Sequence, residues 1–321
     1  MSLIIEPVTT ELVKKAKHRG FNRTVFHERP QAAVGIAIVA VLAGAAIFAP
    51  LLTSYDPRAQ TCPLHAAPSA AHWLGCDAAG HDMYTLLLYG IRVSLVVGLA
   101  AAFVAIVIGG AVGIISGYFG GRTDTAAMAA ANLFLVIPEV PLMVVLASLL
   151  GQSLFIIIVV IGVLLWAGTS RIIRAQVKSV RERVYVKRAR SVGAGNTRII
   201  IRHIVPQVAP LMLANAVLIV AVAIFDETFL AFLGLGDPTA ISLGKLIEEA
   251  FDGQALLRGE WWVIVPPGVL VTLLILGCTL YGQALEDALN PRLKVSFLSP
   301  KSFRVRRDIT TKKKAAMEPN G

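Results

Sequence analysis

Three carboxylates inside long apolar runs are the first residues of this sequence that could do chemistry. They are Glu139, Asp226 and Glu227. An ionised group surrounded by hydrocarbon is costly, so its presence by default suggests a solute pathway. For Glu139 the alternative is structural, because Pro138 and Pro141 could break the helix and leave backbone donors that the carboxylate satisfies through water. We treat all three carboxylates as candidate pathway or gate residues.

Two cysteines and three histidines share one short polar segment. Cys62 and Cys76 are fourteen residues apart, and His65, His72 and His81 lie around them. In an oxidising compartment a disulfide would stabilise this segment by about 3 kcal/mol in the chain-entropy description. Two free thiols and a metal site are the alternatives. We expect the disulfide and no bound metal.

A third candidate is the basic stretch Tyr185–Pro206, which lies between two apolar runs. It is too polar to cross a bilayer and too charged for a core. Gly193 and Gly195 would allow a tight bend between two short helices, and Pro206 would close the segment before the next apolar run. The pattern is typical of a docking element. The alternative is an interfacial helix with no partner.

Several functions are excluded by motif or composition. The sequence has no Gly-x4-Gly-Lys-Ser/Thr phosphate loop, so we expect no bound ATP, and it has no Ser/His/Asp or metal-hydrolase spacing. We therefore predict a chain that is not an enzyme and binds no cofactor itself. The net charge of +10 would suggest nucleic acid in a soluble chain. Hydrophobic residues make up 56% and charged residues only 16%, against roughly 25% charged in soluble domains, so a membrane protein is predicted instead.

Six apolar runs are long enough to cross a bilayer, which requires about 20 residues each. They are 32–52, 93–119 (entered from about 86), 126–150, 153–168 (extending to 173), 208–236 and 263–285. A short amphipathic helix is predicted at 242–251. The predicted fold is therefore all-α, with six transmembrane helices.

The basic residues predict the orientation. Of the 30 lysines and arginines, 26 lie in the segments 1–31, 118–124, 171–202 and 292–321. Positively charged loops stay in the cytoplasm, so both termini are expected there. The predicted organisation is a cytoplasmic arm 1–31, a first transmembrane helix 32–54, an extracytoplasmic loop 55–85, a permease core 86–291 with a coupling loop 181–206, and a basic cytoplasmic tail 292–321.

The basic stretch resembles the coupling loop of bacterial ABC importer permeases, a Glu-Ala-Ala-x3-Gly-x9-Ile-x-Leu-Pro pattern. Gly193, Pro206 and Ala189 keep their places in that pattern, whereas Arg188 replaces a small residue and His203 replaces isoleucine. The resemblance implies a type I importer fold and a set of contacts to a partner ATPase. Those contacts are Glu182, Tyr185, Val186, Arg188, Ala189, Arg190, Gly193 and Ala194.

The likeness extends over about residues 30–294 and is to the dipeptide/oligopeptide permease C-type subunits. The segments that carry it are His72–Asp82, Tyr89–Leu95, Gly117–Asp124, Arg171–Gln176, Glu227 with Phe232–Gly236, and Asp287–Leu293. It implies half of a translocation pore in a bacterial inner membrane. The implied partners are a second homologous permease, two cytoplasmic ATPases that bind ATP and Mg²⁺, and an extracytoplasmic substrate-binding protein. It also favours a structural role for Glu227 at the outer end of its helix.

The function predicted from these observations is ATP-driven import of di- and oligopeptides. The same architecture could import nickel chelates, haem or another small solute. An ion-coupled secondary transporter is a rival of another class, but no inverted repeat is evident. A membrane scaffold that only tethers a partner is the remaining alternative.

Overall fold

A computed structural model describes residues 30–289 as a bundle of α-helices. Within these residues no β-strand is formed, and the single isolated bridge pairs Cys76 with Asp82. The helices are α1 Pro30–Ile47, α2 Ala49–Leu52, α3 Met83–Phe119, α4 Gly121–Val136, α5 Glu139–Leu150, α6 Leu154–Arg181, α7 Val184–Ser191, α8 Asn196–Ile199, a π-helix Ile200–Ile204, α9 Val205–Phe232, α10 Leu243–Asp252 and α11 Trp261–Leu289. The helix predicted at 242–251 is confirmed as α10. The predicted arm 1–31, apart from its last two residues, and the tail 292–321 lie outside the described residues.

Helices α3 and α6 form the centre of the bundle and run parallel, packed through a stripe of glycines. Gly109, Gly113 and Gly117 lie one turn apart on α3. A Cβ at Gly109 would lie 2.6 Å from the Trp166 carbonyl oxygen, and one at Gly113 would lie 2.7 Å from that of Ser170. Small residues allow two backbones to approach this closely. The stripe therefore brings α3 and α6 into close contact.

The third apolar run is one crossing broken in its middle. Helices α4 and α5 meet at an angle of 87° around Ile137 and Pro138. Pro141, which we also expected to interrupt the helix, lies in the first turn of α5, where its missing N–H has no partner to lose. After α5, the Gln152 side chain donates to the Gly234 carbonyl at 2.8 Å, beyond the far end of α9. The bent pair therefore carries the chain from one end of the bundle to the other.

With this broken crossing, residues 30–289 pass six times between the two ends of the bundle. Five unbroken helices are apolar and long enough to span a bilayer, and the bent pair supplies the sixth crossing. Several boundaries differ from prediction: the first helix begins at Pro30 and α3 begins at Met83, before the predicted positions 32 and 86. The fourth crossing continues to Arg181, and the fifth ends at Phe232 rather than at 236. The hydrophobic pattern therefore locates each crossing but not its exact ends.

The fifth crossing begins earlier than predicted because Pro206 does not end a helix. Residues 196–232 form one continuous helical segment that includes the π-helix. In that π-helix the Val205 N–H reaches the Ile200 carbonyl, five residues back. A π-turn of this kind accommodates a proline, which has no N–H to donate. The prediction that Pro206 closes the segment is therefore wrong.

Candidate functional site

The two ends of the bundle and its middle each hold one group of candidate residues. We call residues 182–204 the coupling segment and residues 53–82 the cap. Helix α3 begins at Met83, directly after the cap, and ends at Phe119 beside the coupling segment. Its 37 residues span roughly 55 Å at 1.5 Å per residue. The cap and the coupling segment are therefore at opposite ends of the molecule.

The coupling segment folds as one short helix, α7, a glycine turn and the beginning of the continuous helical segment 196–232, so the second of the two predicted short helices is not a separate element. Helix α7 ends at Ser191, and Gly193 has a φ of +81°, a conformation that favours glycine. Gly195 has an ordinary φ of −66°, so only one of the two glycines is required for the bend. Val186 is 1% exposed and packs in a cluster with Ile199 and Ile204. Val186 therefore supports the segment from inside and offers no surface to a partner.

The coupling segment is attached to the bundle through Tyr118 at the end of α3. The Tyr118 hydroxyl donates to Asn196 Oδ1 at 2.9 Å, and Arg181 Nη1 donates to the Tyr118 carbonyl at 2.9 Å. The Arg190 guanidinium lies over the Tyr118 ring, 5.6 Å from its centroid. A cation above an aromatic face is attracted by the ring. Movement of the coupling segment would therefore be transmitted directly to α3.

The exposed face of the coupling segment contains charged residues and one highly exposed valine, Val192. Of the predicted docking residues, Glu182, Tyr185, Arg188, Arg190 and Gly193 are exposed, whereas Ala189 and Ala194 are half-buried against the apolar cluster. Hydrogen bonds from Lys187, and then from Arg181, hold the pKa of Glu182 below its usual range. Val192 is 84% exposed at the turn, and sequence reasoning did not single it out. Its signal in the sequence was a lone β-branched apolar residue beside the glycine bend of a basic loop.

Close to the coupling segment, one carboxylate joins α4 to α6. Asp124 in the first turn of α4 accepts from Arg174 Nε and Nη2, the latter at 2.7 Å, and from Lys178 Nζ at 2.7 Å. A carboxylate bound by two cations on consecutive turns of a helix fixes the position of both elements. The start of the broken crossing is therefore held against the helix that leads into the coupling segment.

The three carboxylates of the middle group have different surroundings. Glu139 is exposed at the break, as the first residue of α5. Asp226 on α9 is 4% exposed and interacts electrostatically with Glu139, and its Oδ2 atom makes no hydrogen bond within residues 30–289. Glu227 is buried and accepts from Ser94 Oγ at 2.9 Å. Its carboxylate also interacts with Ser242, the N-cap of α10. Glu227 thus joins α9 to α3 and α10, and Glu139 with Asp226 forms a separate acidic pair.

The cap is a compact loop held by a disulfide and by histidine–carboxylate pairs. A disulfide joins Cys62 to Cys76, with the two Cα atoms 6.5 Å apart. His72 Nδ1 lies 2.9 Å from Asp82 Oδ1, and Asp82 is also the N-cap of α3. His81 Nδ1 lies 2.9 Å from an oxygen of Asp77, whose other oxygen accepts from two backbone N–H groups. The polar residues of this segment therefore fix the loop geometry.

Glu260 connects the cap to the start of α11. It is 5% exposed, lies 3.1 Å from His65 Nδ1, and accepts from Arg258 Nε at 2.7 Å. Burial opposes its charge, but hydrogen bonds from Arg258 and His65 outweigh that effect and hold its pKa below the usual value. Two cavities of about 360 and 390 Å³ lie between the cap and α10, and both are lined by Asp77, His81 and Glu249. This end of the molecule is therefore a rigid, polar rim.

Six apolar crossings, a surface segment attached to the central helix and a polar rim at the opposite end define a polytopic membrane permease. The family described as "Binding-protein-dependent transport system inner membrane component" matches residues 109–295. The chain belongs to this family and is a permease subunit of an ABC importer.

Similar proteins cover most of the chain. It is 35% identical to the oligopeptide transport system permease protein OppC of Bacillus subtilis over 84% of this chain and 88% of that protein. It is 34% identical to the dipeptide transport system permease protein DppC of Alkalihalophilus pseudofirmus over 82% and 86% of the two chains. A solved structure described as inward-facing conformations of the MetNI methionine ABC transporter aligns with a TM-score of 0.50 at 20% identity, covering 64% of this chain and 96% of that one. The structural likeness supports the type I permease fold.

Proposed function

We propose that this chain forms half of the translocation pore of an ATP-driven importer of di- and oligopeptides. A second, homologous permease forms the other half. The coupling segment faces the cytoplasm and binds one of two ATPase subunits, which bind ATP and Mg²⁺. The cap faces the extracytoplasmic side and receives the substrate-binding protein.

The observation that carries the proposal is the construction of the coupling segment. Its buried side is filled by this chain's own apolar residues, and its exposed side presents Val192 and Arg188 beside the glycine turn. An exposed valine surrounded by basic residues is the composition of an interface that combines an apolar anchor with a charged rim.

The proposed mechanism follows from the contacts of that segment. Closure of the ATPases moves the coupling segment, and Tyr118 and Arg181 transmit the movement to α3 and α6. The two helices move together because the glycine stripe leaves no space between them. Glu227 then carries the movement to α10 near the cap. The pore alternates between its two openings without any chemical step in this chain.

The names of similar proteins support peptides as the cargo. The relatives in Bacillus subtilis and Alkalihalophilus pseudofirmus are named for oligopeptide and dipeptide transport. Glu139 and Asp226 place two interacting carboxyl groups in the middle of the bundle, and their oxygen atoms suit hydrogen bonds from the ammonium end of a peptide. A nickel chelate, haem or another small solute is the alternative cargo.

The test is transport by the complete system in lipid vesicles. The chain is purified with its partner permease, ATPases and binding protein, and peptide uptake and ATP hydrolysis are measured together. We expect a dipeptide or oligopeptide to stimulate hydrolysis and to accumulate only when ATP is present. If a nickel chelate or haem stimulated ATP hydrolysis and peptides did not, the cargo would be that solute and not a peptide. Uptake without the ATPases would overturn the proposal.

A further inference from the structure

The cap contains three metal-ligating side chains that the transport proposal does not use. One ring nitrogen of His72 and the sulfur atoms of Cys62 and Cys76 all lie within 4.8 Å of one another. We propose that reduction of the Cys62–Cys76 disulfide converts this part of the cap into a binding site for Zn²⁺ or a similar thiophilic cation. The two cysteines can therefore form either a disulfide or a metal–thiolate site.

The orientation of His72 suits a metal ligand. Its Nδ1 lies 2.9 Å from Asp82 Oδ1, and a carboxylate in this position accepts the Nδ1 hydrogen. The nitrogen with a free lone pair is then Nε2. Asp82 is itself fixed, since it is 3% exposed and accepts from the Thr85 N–H and hydroxyl, each at 2.8 Å. A carboxylate that orients a histidine is the usual outer partner of a metal-bound imidazole.

The loop has a backbone frame that does not depend on the disulfide. On one side the Thr61 N–H donates to the Gly80 carbonyl at 2.9 Å. On the other side the Cys76 N–H donates to the Ala66 carbonyl at 2.9 Å, and Trp262 Nε1 donates to the Cys76 carbonyl at 3.4 Å. These bonds hold the backbone on both sides of the disulfide. Reduction would therefore leave both sulfur atoms near His72.

The chemical balance of the conversion is simple. A dithiol, such as that of a thiol–disulfide exchange protein, supplies two electrons and two protons, so the bond gives two thiols and the dithiol becomes a disulfide. When the cation binds, both thiol protons pass to solvent and the sulfurs bind as thiolates. Two thiolates and one imidazole leave a fourth tetrahedral position for water. Soft sulfur ligands select Zn²⁺ or Cu⁺ over Mg²⁺ or Ca²⁺.

Cobalt is the direct probe, because Co²⁺ bound by thiolates has a sulfur-to-metal charge-transfer band. The full chain, with Cys278→Ala to remove the third thiol, is reduced with a phosphine, freed of it anaerobically and titrated with Co²⁺. We expect the band in reduced protein only. It should disappear when Zn²⁺ is added, and it should also disappear when the protein is reoxidised. The oxidised and reduced samples are the same protein, so this comparison does not depend on any variant folding.

Two variants identify the ligands, and a third serves as the control. Cys62→Ser should abolish the band. His72→Ala should weaken Co²⁺ binding at least about tenfold, because loss of even an outer partner of a metal ligand lowers the affinity by at least that factor. His81→Ala is the matched control, since His81 lies in the same loop beside a carboxylate but outside the trio, and it should keep the affinity. Reduced protein without a charge-transfer band, or a band that survives Cys62→Ser, would overturn the proposal. None of these readouts depends on peptide transport.

Discussion

Asp226 and Glu227 are adjacent in the sequence but differ in what their side chains contact. The Glu227 carboxylate accepts from Ser94 and interacts with Ser242, whereas one oxygen of Asp226 is buried without a hydrogen bond in the described part of the chain. A buried polar atom without a partner is costly, so such atoms concentrate at functional sites. At the residue scale this contrast separates a structural carboxylate from a candidate pathway carboxylate. Glu139 belongs with Asp226, because the two charges interact and Glu139 is exposed at the helix break.

Substitution of Glu139 tests the pathway assignment. Glu139→Gln removes the charge and keeps the shape, so it should lower the rate of peptide uptake about tenfold. The free energy that corresponds to this factor is near the low end for a hydrogen bond to a charged group. Glu139→Asp should retain most of the uptake. Assembly with the partner subunits and basal ATP hydrolysis should not change in either variant. Uptake at the wild-type rate in Glu139→Gln would mean that the carboxylate only satisfies the broken backbone.

Glu260 gives a prediction about pH. Glu260→Gln should lower the free energy of unfolding by about 1–3 kcal/mol, because the bonds from Arg258 and His65 lose their charge. The folded pKa of Glu260 lies below its usual value of 4.5, so its contribution is fully present above that value. The contribution is lost as pH falls through the lower, folded pKa.

Thermal unfolding in detergent at a series of pH values measures this effect. The gap between wild type and Glu260→Gln should be constant near neutral pH and should narrow as the pH falls below 4.5. Glu286→Gln changes an exposed carboxylate and serves as the control, with an expected effect within about 0.5 kcal/mol. A gap that does not vary with pH would remove the assigned role of the Glu260 charge.

At the scale of elements, the contact between α3 and α6 determines which movements the bundle allows. Gly113 lies so close to the Ser170 carbonyl that even a methyl group must displace a backbone. We expect Gly113→Ala to cost about 1–3 kcal/mol, the usual cost of overpacking. Gly168→Ala is the matched control on α6, because within residues 30–289 the added Cβ has no neighbour within 4 Å apart from the adjacent backbone of its own helix. It should be neutral or slightly stabilising, since alanine favours helix.

The comparison is made by thermal unfolding of the two variants beside wild type. Equal midpoints for Gly113→Ala and Gly168→Ala would contradict the close packing of α3 against α6. A lower midpoint for Gly113→Ala alone is the expected outcome.

The sequence predicts the elements better than the contacts between them. Hydrophobic runs of about 20 residues locate every crossing, because hydrocarbon thickness dictates that length. They cannot show that Pro206 is accommodated within a continuous helix, since that depends on a local π-turn. They also cannot show that Val186 is buried, because its partners Ile199 and Ile204 come from the helix beyond the bend. The exposure of Val192 could not be predicted for the converse reason, because whether an apolar residue is exposed is known only once the fold is known.

At the scale of the whole molecule, the two ends are built for different tasks. The cap is cross-linked and held by histidine–carboxylate hydrogen bonds, so it is suited to remain rigid. The coupling segment is held by Tyr118, a small apolar cluster and the start of α9. In the proposed mechanism the six crossings between them transmit movement from one end to the other. We propose that a separate ATPase drives this movement from the cytoplasmic side.

One labelling measurement tests that claim most directly. Val192→Cys in a Cys278→Ala background places a single reactive thiol at the apex of the coupling segment while the cap cysteines stay in their disulfide. A membrane-impermeant maleimide is applied to intact cells and to inverted membrane vesicles, with and without the bound ATPase subunits. We predict no labelling of intact cells, rapid labelling of inverted vesicles stripped of the ATPase, and protection when the ATPase rebinds. Labelling of intact cells, or equal labelling with and without the ATPase, would contradict the account.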